Sequence, residues 1–302
     1  MKAPYLLHIF NPTKNVSPFD VNMAYEADFD GVIPYSNVTV DEIHALTQDT
    51  IFSRGATGVA RTGIFIGGRE FGLAIEMLQQ ARGAMVPPFE VSVFADPSGA
   101  ITTAAALVAG VEQNLRNHFD EDLKGKKVHI FGGTGPVGIC AGILASGAGA
   151  EVMLTSHRGA EVAQRLAREY NGRFQVDMRG VGSGTEDDIN EYLPETNIIV
   201  STAKAGIRVL NKSQIASADA LMVAADVNAV PPAGIEGVDV NDYGVVMESS
   251  PVGARGIGAL AIGDLKYRVH RGLFQRMKDT SKPVYLDHTE AFKLARSLTS
   301  ES

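Results

Sequence analysis

The sequence predicts an α/β protein of two domains, the second a doubly wound parallel sheet that binds a dinucleotide, with the C-terminal helices packing back on the first. Three observations carry this expectation. Short β-type runs alternate with helical segments from one end of the chain to the other, the pattern a parallel sheet needs because each crossover takes a helix. A length of 302 residues exceeds what a single core usually holds. The third observation is the stretch Lys126-Lys127-Val128-His129-Ile130-Phe131-Gly132-Gly133-Thr134-Gly135-Pro136-Val137-Gly138, which passes from a basic lead-in through an apolar strand into G-x-G-x-x-G at Gly133, Gly135 and Gly138.

The chemistry of that stretch follows from geometry. Glycine turns the chain sharply and lets backbone N–H groups approach a pyrophosphate, and the helix that follows presents positive potential at its N-terminus. Pro136 suits a first helical turn, where a missing N–H costs nothing. Because 32 glycines make a chance match easy, the context decides: a strand before, a small and apolar helix to about Gly147, and a second strand over 151–155. Gly133, Thr134, Gly135, Pro136, Val137 and Gly138 are therefore expected to hold the nucleotide in a Rossmann-type domain.

Composition narrows the partners. A net charge of −8 without a Lys/Arg run argues against nucleic acid, and no apolar stretch approaches the roughly 18 residues of a membrane span. A small molecule is the expected partner. The first residues enter a strand-like run without a signal-peptide pattern, and the single cysteine, Cys140, permits no intrachain disulfide, which points to the cytoplasm. Cys140, inside the helix after the glycine loop, reads as a packed small residue. The seven histidines show no metal-ligand spacing, so no metal is expected.

In chain order, residues 5–10 read as a buried strand, and Ser17-Pro18 offers an N-cap with proline at the first helical position, giving a helix to Glu26. Asp20 falls in its first turn, either offsetting the helix dipole or placing a carboxylate at the mouth of a cleft. β-type runs follow at 31–33, 50–53 and 63–66, with helices over 41–46 and 70–82. Arg54, in the loop Ser53-Arg54-Gly55-Ala56-Thr57-Gly58, either binds an anionic or carbonyl group or is a solvated loop arginine. A strand over 91–95 ends in the turn Asp96-Pro97-Ser98-Gly99, and a small-residue helix runs from Ala100 to about His118. The domain boundary is expected at 120–125, giving an N-terminal domain 1–122, a nucleotide domain 123–258 and returning helices 259–302.

Within the nucleotide domain, helix 160–170, a β-type segment at 174–176, a short helix at 186–192 and strands at 197–201, 221–225 and 245–248 continue the alternation. Ligands bind at the carboxyl ends of parallel strands, and that rule selects three loops: Ser156-His157-Arg158, the loop from Ser201 that carries Thr202 and Ala203, and Asp226-Val227-Asn228. The second strand ends without the Asp or Glu that an NAD-selective site presents. Ser156 can bond a ribose hydroxyl or a phosphate and Arg158 can pair with a phosphate, so use of both NAD and NADP is expected; the bland alternative starts the next helix with Arg158 in solvent. Glycine-rich Gly253-Ala254-Arg255-Gly256-Ile257-Gly258 leads into a helix over 259–277, and a last helix covers 289–298.

Taken together, Phe19-Asp20, Gly31 with Tyr35-Ser36-Asn37-Val38-Thr39, Arg54-Gly55, Ile64-Phe65-Ile66-Gly67-Gly68, Thr102-Thr103-Ala104-Ala105-Ala106, the glycine loop, Ala225-Asp226-Val227-Asn228 with Pro231-Pro232, and Gly258-Ala259-Leu260-Ala261-Ile262-Gly263-Asp264-Leu265-Lys266 resemble the methylene-tetrahydromethanopterin dehydrogenases of methylotrophic bacteria. The resemblance spans nearly the whole chain and is nearest the NAD(P)-dependent paralogue. It implies hydride transfer from N5,N10-methylene-tetrahydromethanopterin to NAD or NADP in formaldehyde oxidation and one-carbon metabolism. It also implies a homo-oligomer, trimer or hexamer, and a pterin held by Asp20, Arg54, Thr102, Thr103 and Lys266, with Lys266 and Asp20 catalytic.

Pterin nitrogens stabilise the developing cation, so such an enzyme need only stack the bridging carbon on the nicotinamide and exclude water. A protonated Lys266 near that carbon opposes the reaction, so Lys266 must be neutral, paired with a carboxylate such as Asp20, or turned toward the pterin ring. Otherwise its helix, with Arg268, His270 and Arg271, presents a solvated face. A methylene-tetrahydrofolate dehydrogenase would need the same machinery, and a non-catalytic NAD(P)-sensing module would need only the second domain.

Overall fold

The structure, a computed structural model, describes residues 3–300. The elements are β1 (Leu6–Phe10), α1 (Pro18–Glu26), β2 (Gly31–Tyr35), α2 (Val40–Phe52), α3 (Ala56–Val59), β3 (Thr62–Ile66), α4 (Phe71–Gly83), β4 (Ser92–Ala95), α5 (Ala100–Phe119), β5 (Lys127–Phe131), α6 (Pro136–Gly147), β6 (Glu151–Ser156), α7 (Ala160–Phe174), β7 (Met178–Gly182), α8 (Glu186–Asn190), β8 (Ile198–Ser201), α9 (Lys212–Ala216), β9 (Val223–Asp226), β10 (Tyr243–Val246), β11 (Arg255–Ile257), α10 (Ala259–Lys278), β12 (Tyr285–Leu286) and α11 (His288–Ser300).

Two compact units result, one running to Thr102 and including Tyr267–Leu294, the other Thr103–Lys266 with the chain from Ala295. The division falls inside α5 rather than at 122/123. The reason is chemical. Asp96 of the first unit holds the opening turn of α5 by accepting the N–H groups of Ile101 and Thr102, whereas Gly110 lies against Tyr243 and Gln113 bonds Thr299 in the second. The segment 259–302 is likewise shared between the units rather than standing apart.

In the first unit the sheet order is β12-β4-β3-β1-β2, all parallel, a doubly wound arrangement whose order reverses between β1 and β3. β3 is buried along its whole length, and Phe65, Phe94 and Phe274 pack edge-on or tilted at 5.2–5.5 Å between ring centres. Phe274 belongs to α10 and β12 pairs with β4, so this part of the C-terminal region does pack on the first sheet.

The second unit carries a seven-stranded sheet, β10-β11-β9-β8-β5-β6-β7, parallel except for β10, which runs antiparallel at one edge. Read from β7, the order is the Rossmann one, reversing between β5 and β8.

Several expected segments differ. Residues 50–53 are no strand: Thr39 and Glu42 form a capping box, and α2 continues to Phe52 with Ile43, Thr47, Thr50 and Ile51 on its buried face at helical spacing. Residues 174–176 end α7, whose cap Gln175 takes φ 55°, and the strand follows as β7. The glycine-rich segment before α10 holds a strand, β11, which pairs with β10 on one side and β9 on the other; its glycines read as loop in sequence.

Candidate nucleotide and substrate sites

The glycine loop leaves β5 beside β8, at the point where the strand order of the second sheet reverses. Its four glycines do different work. Gly132 has φ +70°, and a β-carbon there would meet Ala203 N and Thr202 O at 2.6 Å; one on Gly133 would meet Ile130 O at 2.7 Å; one on Gly138 would meet Gly132 O at 2.7 Å. These three let β5, α6 and the loop after β8 approach closely. Gly135 differs. A β-carbon there would meet only Gly132 O, at 3.3 Å, a tight contact but the loosest of the four.

Gly135 is also the N-cap of α6, with no side-chain cap, and Pro136 occupies the first turn. The first backbone N–H groups of the helix thus lie beside Gly135 with no side-chain cap, the requirement for a pyrophosphate. The residues present suit a dinucleotide on this ground. A cavity of about 790 Å³ adjoins the loop, walled by Gly132, Thr134 and Gly135, by His157, by the Ser183–Glu186 loop, and by Thr202, Ala203 and the segment to Gln214. Ile189, Ile207 and Leu210 make part of it apolar.

The sequence-selected residues separate into those on the cavity and those behind it. Thr134, Gly135, His157, Thr202 and Ala203 line it. Gly133, Pro136, Val137 and Gly138 build the loop without forming its wall. The Thr202 hydroxyl donates to Phe131 O at 2.9 Å, tying β8 to β5.

Ser156 is buried, its Oγ accepting Arg158 N–H at 3.1 Å, so it shapes the turn; Arg158 itself is exposed. Asp226 and Asn228 lie behind the wall. The Asp226 carboxylate accepts the N–H groups of Asn228 (3.0 Å) and Ile235 (3.1 Å), and Asn228 Oδ1 accepts Gly206 N–H at 3.1 Å, pinning the loop after β8. Sequence reasoning missed the Ser183–Glu186 loop and Ile207; nothing in their composition marks them.

In the first unit the reversal between β1 and β3 selects the carboxyl ends of those strands. Asn11 follows β1 and Gly67 follows β3, and α1 brings Asp20 to them: a β-carbon on Gly67 would stand 3.3 Å from Asn11 Oδ1 and 3.4 Å from Asp20 Oδ2. Asn11 Nδ2 donates to Thr13 O at 2.7 Å and to Asn15 O at 3.1 Å, holding the β1–α1 loop. Ser17 caps α1 by accepting Phe19 N–H, which turns Asp20 to the buried side while Phe19 stays partly exposed beside the His270 ring, 5.5 Å between centres. Asp20 therefore does more than face solvent at a helix end.

The other expected pterin residues are not all brought there. Arg54 donates to Pro4 O, Arg61 O and Thr62 Oγ1 at 2.8–3.1 Å, all at the amino ends of β1 and β3, opposite Asp20. Its guanidinium is spent on chain closure. Thr102 is buried, its hydroxyl donating to Asp96 Oδ2 at 2.6 Å. Thr103 is half-buried on α5, and Lys266 half-buried on α10.

Comparison with known proteins identifies the family. Residues 18–98 match the family model "Methylene-tetrahydromethanopterin dehydrogenase, N-terminal". The chain is 43% identical over 294 residues, 97% of its length and 98% of the relative's, to the NAD(P)-dependent methylenetetrahydromethanopterin dehydrogenase of Methylorubrum extorquens AM1. It is 33% identical, over 97% of its length and 98% of the other's, to the bifunctional protein MdtA of the same organism. Among solved structures, the NAD-dependent malic enzyme of Thermotoga maritima shares the fold at TM-score 0.58 and 13% identity, over 97% of this chain and 84% of that one. The chain belongs to the methylene-tetrahydromethanopterin dehydrogenase family.

Proposed function

We propose that the protein oxidises N5,N10-methylene-tetrahydromethanopterin to the methenyl form with either NAD or NADP. The observation that carries this reading is the cavity lined by Gly135, at the N-terminus of α6 and the reversal point of the sheet, in a chain of this family. Bound NAD(P) supplies a nicotinamide ring that accepts hydride. The chain's own residues do the rest. Gly135 and the first N–H groups of α6 hold the pyrophosphate, the end of β6 and the loop after β7 surround the ribose, and the apolar part of the cavity excludes water.

As hydride leaves the bridging carbon, positive charge develops on the pterin. We assign Asp20, buried at the end of the first sheet, to stabilise that charge, and Lys266 to the pterin ring rather than the bridging carbon. Asp20→Asn and Lys266→Ala should each lower turnover by more than they change the nucleotide constant. A role in formaldehyde oxidation, a cytoplasmic place and a homo-oligomeric assembly complete the reading; among the described residues no helix is long and apolar enough to cross a membrane.

The test is the growth of reduced-nicotinamide absorbance when methylene-tetrahydromethanopterin is added with NAD or NADP. The same assay with methylene-tetrahydrofolate separates the two pterin classes. Nucleotide binding without turnover on either pterin would favour a sensing module instead.

A further inference from the structure

A Rossmann site selective for NAD places an acid at the end of its second strand, where it accepts a hydrogen bond from the ribose 2′-hydroxyl. In this protein that strand is β6, and Ser156 at its end is buried and turned into its own loop. The neighbouring strand provides what β6 lacks. After β7 the chain doubles onto the β6 loop: Ser183 N–H donates to Ser156 O at 3.1 Å, and a β-carbon on Gly184 would come within 3.3 Å of His157 O. These loops pack backbone to backbone, and both reach the same cavity, one through His157 and the other through Thr185 and Glu186.

The second loop is held in place. Asp188 Oδ2 accepts the N–H groups of Gly184 and Thr185, each at 3.1 Å, and Thr185 Oγ1 accepts Asp188 N–H at 3.1 Å. Asp188 is thereby occupied within the turn. Among the described residues the Glu186 carboxylate is engaged by no hydrogen bond or ion pair, and it is exposed at the cavity wall.

We propose that Glu186 is the carboxylate that reads the ribose 2′ position, and that its opposition to His157 and Arg158 is what leaves the site open to both nucleotides. This rests on the nicotinamide-nucleotide reading above. Its carboxylate accepts a hydrogen bond from the 2′-hydroxyl of NAD and repels the 2′-phosphate of NADP, while the imidazole and guanidinium act in the opposite sense.

The experiment measures dissociation constants for NAD and NADP by calorimetry on the full chain, for the wild type, Glu186→Gln and Asp187→Asn. Asp187 is the exposed neighbour that does not line the cavity, so its variant removes the same charge from the same turn. In Glu186→Gln the ratio of the NADP constant to the NAD constant should fall by about tenfold, with NAD weakened and NADP tightened, and in Asp187→Asn it should stay within about twofold. An unchanged ratio in Glu186→Gln, or an equal change in Asp187→Asn, would overturn the assignment. A wild type that binds neither nucleotide would instead remove the reading on which the assignment rests, and the assignment with it.

Discussion

His270 Nδ1 donates to the carboxylate of Asp96 at 2.8 Å, with both side chains fully buried at the carboxyl end of β4. The same carboxylate accepts the Thr102 hydroxyl at 2.6 Å and the N–H groups of Ile101 and Thr102 at 2.9 and 3.1 Å. One aspartate thus joins a strand end, the start of α5 and a turn of α10. Asp96→Ala strands those donors without water, and we expect a loss of about 3 kcal/mol in urea unfolding. A loss below about 1 kcal/mol would show that the network is replaceable.

Gly135 and Gly138 should respond differently to the same kind of change. A β-carbon at Gly135 meets one atom, Gly132 O at 3.3 Å, so Gly135→Val should cost about 1–2 kcal/mol of stability while weakening both nucleotides by about a hundredfold. At Gly138 a β-carbon meets Gly133 Cα at 2.7 Å and Thr202 Oγ1 at 2.8 Å, so Gly138→Ala should lower the unfolding midpoint itself. Unchanged nucleotide binding in folded Gly135→Val would contradict the placement of the pyrophosphate.

Arg158 is exposed beyond the cavity wall, next to His157, which lines it. Its replacement by alanine should weaken NADP by roughly 1.5–3 kcal/mol and leave NAD nearly unchanged. Equal losses for the two nucleotides would place Arg158 in solvent.

His129 gives the fold an acid limb. Burial, and secondarily the charge of Lys127, lower its pKa from 6.5 to about 4, and Nδ1 lies 2.6 Å from Thr196 Oγ1. The unfolded chain binds this proton more readily than the folded one between those values, so stability is complete above about pH 6.5 and falls as pH drops toward 4, by on the order of 3 kcal/mol. His8 and His288, also lowered by burial, act in the same direction. Urea unfolding at pH 7 and pH 5 checks this, and His129→Gln should flatten the difference relative to wild type. An equal pH dependence in that variant would assign the acid limb elsewhere.

Elements with their own punctuation were legible before the structure. Ser17-Pro18 and Gly135-Pro136 mark the starts of α1 and α6, and both helices end where the sequence places them. Strand ends chosen by the carboxyl-end rule led to His157, Thr202 and Ala203 on the cavity wall. What the sequence hid depends on tertiary pairing. Residues 50–53 look β-prone by composition, yet the capping box at Thr39 carries α2 through them. β11 exists only because β9 and β10 flank it. Arg54, Asp226 and Asn228 carry polar groups that sequence cannot assign to ligand or to backbone, and the structure commits their observed hydrogen bonds to backbone and Thr62. Glu186 was invisible for the converse reason, since only the docking of the β7 loop on Ser156 brings it to the cavity wall.

The most direct measurement of the central claim is the initial rate of nicotinamide reduction by the purified wild-type protein with methylene-tetrahydromethanopterin and, separately, NAD and NADP. Substrate-dependent growth of the reduced-nicotinamide absorbance with each nucleotide is the predicted result. No reduction with either nucleotide, from protein that unfolds cooperatively and binds both, would contradict it.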